Sequence, residues 1–191
     1  MKKIVLFASG NGSNAENIIL HFKNIEQTKV IAVFSNNPEA KVLDRAKSQL
    51  VATFTFNKLE LLEGQVLEKL QQLQPDLIVL AGFLLKFPET IINAFPNKVI
   101  NVHPALLPKY GGKGMYGMHV HQAVLSNKEK ETGITIHFVN EHYDEGEFIF
   151  QKAVSIESCT TAEEIAAKIH ELEMCYFPQV IEDLLVKTKE N

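Results

Sequence analysis

The chain has 191 residues, of which 46% are hydrophobic and 22% charged, enough to bury a core and ordinary for a globular domain. A formal net charge of −4 offers no basic surface to nucleic acid or to an anionic membrane, so the expected partners are small molecules. No apolar run reaches membrane-spanning length, and Cys159 and Cys175 lack the spacing of a metal knuckle or a redox pair, which leaves reduced thiols in a cytoplasmic protein.

The first predicted element is the strand "KIVLFAS". It follows two lysines, a faint echo of a secretory signal, but its apolar run is too short for one and ends in a glycine turn. A helix is expected from about Asn14, with Ile18, Ile19 and Phe22 on one face. "VIAVFS" is the second strand and "EAKVLDRAKSQL" its helix. "ATFTF" is a short third strand, and "KLELLEGQVLEKLQQL" one long polar helix. "DLIVLAGF" and "VINV" are continuous apolar runs, as strands covered on both faces are. Strands alternating with helices predict an α/β fold with a mostly parallel sheet.

The pattern changes after the proline and glycine region. "GITIHFV" and "EFIFQKAVSI" alternate, as antiparallel strands with one wetter face do, across a connection too long for a tight hairpin. A last helix opens at "TTAEEI", where Thr161 and Glu164 have capping-box spacing, and Pro178 is expected to kink or interrupt it. The whole reads as a single domain, residues 1–191.

Two stretches carry chemistry. "SGNGSNA" fits the G-x-G-x-x-G/A turn between a strand and a helix, where backbone N–H groups favour phosphate. The second strand ends in Ser35, Asn36 and Asn37 instead of the acid that a dinucleotide ribose needs, so a phosphate monoester on Gly12, Ser13 and Asn14 fits better than NAD. The second stretch is "VINVHPALLPKY". Asn101 and His103 are two apart, on one face at the end of a strand, with Pro104 stopping the ladder. An amide that donates to an oxyanion and an imidazole that moves a proton suit acyl transfer. The chain shows no nucleophile motif of its own, so direct transfer between two bound substrates is the simpler expectation. Asp144 is the third candidate, a carboxylate that, near His103, raises the imidazole pKa; Glu141, Glu145 and Glu147 in the same loop compete for that place. His119 and His121 form an H-x-H without further metal-ligand spacing and are read as helix-start or pocket-wall residues. Glu173, on the last helix, is a candidate partner for a substrate cation. "YGGKGMYGMH" has the glycines of a mobile lid.

In order along the chain, "FASGNGSN", "VFSNN", "PDLIVLAGF", "INVHPALLPKY", "GITIHFV" and "YDEGEFI" closely resemble the phosphoribosylglycinamide formyltransferase family of purine synthesis. The resemblance implies a Rossmann-like formyltransferase fold, with a phosphate-binding half (residues 1–100) and a catalytic and folate-binding half (residues 101–191). It implies formyl transfer from 10-formyltetrahydrofolate to glycinamide ribonucleotide, with no metal and no NAD. Asn101, His103 and Asp144 would be the catalytic trio, with protonated His103 and Asn101 on the oxyanion and Asp144 holding the imidazolium and a water. The ribonucleotide phosphate would lie on Gly12, Ser13 and Asn14, and its glycinamide end near Glu173. Leu84, Leu85, Lys86 and Phe87, with Asn140, Glu141, His142 and Tyr143, would hold the folate. A monomer or a homodimer fits this family.

This chain departs from many relatives in the longer "KYGGKGMYGMHVH", in Leu85 where an arginine is common, and in Met174 after Glu173. Related tRNA formyltransferases add a basic domain and related hydrolases a preceding regulatory one; an acidic chain whose first strand begins at residue 3 or 4 is expected to be neither. A nucleotide sensor has no reason to keep all of Asn101, His103 and Asp144.

Overall fold

A computed structural model describes residues 1–187. Seven strands form one mixed sheet, in the order β3-β2-β1-β4-β5-β6-β7. The chain divides into two compact units, Met1–Ile100 joined by residues 184–187, and Asn101–Asp183.

In the first unit, β1 (Lys2–Phe7), β2 (Thr28–Ser35), β3 (Ala52–Thr55) and β4 (Leu77–Leu80) are parallel. Ile4 to Phe7 and Ile78 to Val79 are fully buried, which explains why these strands read as unbroken apolar runs. The chain steps from β1 outward to β2 and β3, then returns to place β4 on the other side of β1. That reversal is a topological switch point, where open parallel sheets bind ligands beyond the strands' carboxyl ends. Phe7 is the centre of the aromatic core, stacked on Phe34 at 4.9 Å and edge-on to Phe56, Phe83 and Phe87.

The helices α1 (Ser13–Phe22) and α2 (Lys41–Ser48) form where the periodicity places them. The long polar helix does not. It splits into α3 (Lys58–Leu62) and α4 (Gln65–Leu73), because Gly64 adopts φ 98°, a left-handed conformation that ends one helix and starts the next. A short α5 (Glu89–Ala94), with only Ile91 buried, precedes β5 (Val99–His103) and has no counterpart among the sequence expectations.

In the second unit, α6 (Met118–Ser126) precedes the antiparallel pair β6 (Glu131–Phe138) and β7 (Phe148–Ser155). The wetter face expected of both strands belongs to β7 alone. Thr132 to His137 of β6 are all buried. The helix α7 (Ala162–Lys187) is capped as its sequence predicts: Thr161 N–H donates to Glu164 Oε2 and Glu164 N–H to Thr161 Oγ1, each at 3.2 Å. Pro178 does not interrupt it; the helix runs through. Among the described residues, no helix is long and apolar enough to cross a membrane.

Candidate active site

The glycine turn lies where β1 ends. Gly12, at φ 75°, is the N-cap of α1 and supplies no side-chain cap; a Cβ there would collide with Val42. The helix therefore opens at Ser13 and Asn14 without a side-chain cap, a place suited to an anion. Two residues absent from the sequence expectations brace this turn. Ser9 Oγ donates to Asn36 Oδ1 at 2.6 Å and accepts from Leu84 N–H at 3.0 Å, tying the ends of β1 and β2 to the segment after β4. Arg45 on α2 donates from Nε to the Asn11 carbonyl at 3.0 Å and pairs with Glu16. A serine directly after an apolar strand and an arginine on a short helix are too common for sequence to single them out.

Leu84 to Phe87 belong to this same unit. Leu84 is exposed, and Lys86 reaches Glu89 at 3.5 Å. Phe87 is buried against Phe7 and Phe83, so its ring is part of the core and only its backbone borders the segment.

In the second unit the structure brings Asn101, His103 and Asp144 together. Asn101 and His103 project from β5, and the turn around Asp144, at φ 58°, directs its side chain inward until it is 11% exposed. His103 Nδ1 is 3.5 Å from Asp144 Oδ2. Glu141, Glu145 and Glu147 are exposed, which settles the choice of carboxylate beside His103. The loop following His103 is fixed from β6 and β7. Buried Thr135 Oγ1 accepts from Leu107 N–H at 3.0 Å and donates to the Ala105 carbonyl at 2.7 Å, and Gln151 Nε2 donates to the Leu107 carbonyl at 2.9 Å.

His137 completes the group and was not expected from sequence. Its Nδ1 lies 2.8 Å from the Phe138 carbonyl, which can only accept, so Nδ1 carries a proton. Nε2 lies 3.3 Å from Asn101 Nδ2 and 3.6 Å from Asp144 Oδ1; in the neutral ring it accepts from the Asn101 amide, and only the protonated ring donates to Asp144. This fixes the Asn101 amide with its NH2 toward His137 and its second N–H available elsewhere. The only sequence signal was the alternation of Gly133, Thr135 and His137 along β6.

Burial pushes the His103 imidazolium down, and the Asp144 carboxylate and Tyr110 carbonyl only partly offset it, so its pKa lies below the ordinary 6.5. The sequence expectation was the reverse; it counted the carboxylate but not the desolvation of a ring 4% exposed. Burial likewise pushes the Asp144 carboxyl up, but His137, His103 and the Gly112 N–H together hold it below its ordinary value.

Among the remaining candidates, Asn140 Oδ1 accepts from His142 N–H at 3.0 Å, and Glu141, His142 and Tyr143 are exposed on the loop leading to Asp144. Glu173 on α7 lies 3.8 Å from His170 Nδ1 and raises the His170 pKa. His119 and His121 both fall on α6, one exposed and one buried. Among the described residues, no group of three or more His, Cys, Asp or Glu side chains is placed to hold a metal.

The chain matches a known family over nearly its whole length: residues 2–181 fit the formyl transferase family. The chain belongs to the formyl transferase family. It is 38% identical over 193 residues to the phosphoribosylglycinamide formyltransferase of Bacillus subtilis (strain 168), covering 97% of this chain and 95% of that relative. The enzyme of the same name from Escherichia coli (strain K12) is 34% identical over 197 residues, with 98% and 91% covered. The crystal structure of phosphoribosylglycinamide formyltransferase from Bacillus halodurans superposes with a TM-score of 0.88 at 34% identity, over 98% of this chain and 97% of that one. This formyl transferase therefore shares the fold of those enzymes, antiparallel C-terminal strands included.

Proposed function

We propose that this formyl transferase moves the formyl group of 10-formyltetrahydrofolate to the amine of glycinamide ribonucleotide in purine synthesis. The observation that carries this reading is the convergence of Asn101, His103 and Asp144 around His137 in a buried setting, in a chain whose relatives bear that activity in their names. In this reading residues 1–191 act as a single domain in two halves, the first holding the ribonucleotide phosphate on Gly12, Ser13 and Asn14. The glycinamide end lies near Glu173, and the folate lies against Leu84 to Phe87 and Asn140 to Tyr143.

The chemistry follows from the atoms. The substrate amine attacks the formyl carbon, and the second N–H of Asn101 donates to the oxyanion that forms. His103 begins neutral. Its Nε2–H donates to the Tyr110 carbonyl with nitrogen and oxygen 2.8 Å apart, so Nδ1 carries the lone pair. Nδ1 accepts the proton released by the amine, directly or through one water, and the new imidazolium pairs with Asp144. The same proton then passes to N10 of the folate as the carbon–nitrogen bond breaks, leaving tetrahydrofolate and the formylated amine. A neutral ring at the start suits a proton acceptor better than the protonated ring the resemblance implied.

Transfer of a carbon-13-labelled formyl group, followed by NMR, tests the reading. Label on the glycinamide nitrogen is the expected result. Label released as formate, with or without the ribonucleotide, would make the protein a hydrolase.

A further inference from the structure

His103 and Asp144 are both held by the backbone of one short turn. The Tyr110 carbonyl accepts from His103 Nε2 at 2.8 Å, and the Gly112 N–H donates to Asp144 Oδ2 at 3.0 Å. Tyr110 sits at φ 59°, a conformation costly for a bulky residue, which persists only where surrounding contacts impose it. Those contacts lie on the outer side of the turn. The Tyr110 hydroxyl donates to Glu129 Oε1 at 2.9 Å and accepts from Asn127 Nδ2 at 2.9 Å, and Lys109 Nζ reaches the same Glu129 oxygen at 3.0 Å. Asn127 and Glu129 follow the end of α6 and belong to none of the binding segments described above.

We propose that Glu129 is a positioning residue: through the Tyr110 hydroxyl it holds the Tyr110 carbonyl against His103 Nε2, and so decides which ring nitrogen is the base. The carbonyl cannot donate, so its presence forces the proton onto Nε2 and leaves Nδ1 beside Asp144 as the basic atom. Without the outer anchor, the strained Tyr110 relaxes, the carbonyl withdraws, and the two tautomers of His103 mix. One of the contacts that favour the imidazolium is lost with it. The anchor thus sets both the direction and the ease of the proton transfer without touching a substrate.

The inference rests on the reading of His103 as the proton acceptor, and its test has one arm that needs no substrate. Nitrogen-15 ring shifts of His103 are measured through a pH titration in the wild type, Glu129→Ala, Glu129→Gln and Tyr110→Phe. Asp144, His137 of β6, His121 of α6 and Glu173 of α7 also face His103 and are unchanged in all four proteins. The wild type is expected to show the proton on Nε2 of the neutral ring. Glu129→Ala and Tyr110→Phe are expected to show mixed tautomers and a lower midpoint, while Glu129→Gln, which still accepts from the hydroxyl, stays close to wild type. In turnover, the same two variants are expected to lose roughly three- to tenfold in kcat with KM within about twofold, and to move the acid limb of kcat to lower pH. Ring shifts and an acid limb identical to wild type in folded Glu129→Ala and Tyr110→Phe would overturn the positioning role, even if activity fell. Altered tautomers with unchanged kcat would uphold the anchor and overturn His103 as the acceptor.

Discussion

Asn101 and His103 gain their properties from what β6 and the Asp144 turn place beside them. One N–H of the Asn101 amide is engaged by His137 and so aims the other at the oxyanion, and Asn101→Ala is expected to lower kcat roughly a hundred- to a thousandfold, measured as tetrahydrofolate formation at saturating substrates. Histidine burial has a second consequence. His103 and His121 both hold pKa values below 6.5, and burial is the largest cause in each. In the unfolded chain both protonate at about the ordinary value while the folded protein resists, so stability is complete above about pH 6.5 and declines as the pH falls from there. Thermal melts are expected to show Tm falling between about pH 7.5 and 5.5, and His121→Gln is expected to flatten that decline. A melting temperature equally pH-dependent in both proteins would contradict the assignment. These shifts could not be read in the sequence, because the desolvation of a ring depends on every element packed around it.

The helices and strands were legible where pattern and packing agree. The apolar runs of β1, β2 and β4, and the capping box at Thr161 and Glu164, stand where local sequence places them. The break at Gly64 is hidden in the sequence because the apolar spacing continues across it; the left-handed glycine overrides the periodicity. Gly64→Ala is therefore expected to destabilise by about 1 kcal/mol or more, since no side chain suits φ 98°. The start of α3 offers a cleaner case. Asn57 Oδ1 accepts from the N–H groups of Leu59 and Glu60, and Glu60 returns the bond to Asn57 N–H, a complete capping box. Asn57→Ala is expected to cost about 1 kcal/mol in denaturant unfolding and to leave kcat unchanged, because α3 carries none of the site residues.

At the scale of the molecule, the sequence already contained the glycine turn after β1 and the Asn-x-His pair, because both sit at strand ends with their own local signatures. It did not contain the choice among four carboxylates or the place of His137. Asp144 is selected by a left-handed backbone that turns it inward, and His137 by the register of β6; neither is a local pattern. In the proposed transfer, Asn101, His103, Asp144 and His137 act as one device. The most direct measurement compares kcat for ribonucleotide-dependent tetrahydrofolate formation in the wild type, His103→Ala, Asp144→Asn and the double variant. The expected loss is on the order of a hundred- to ten-thousandfold for His103→Ala, with little further loss when Asp144→Asn is added, since the carboxylate works through the ring. Substantial turnover in His103→Ala, or fully multiplicative losses in the double variant, would contradict it.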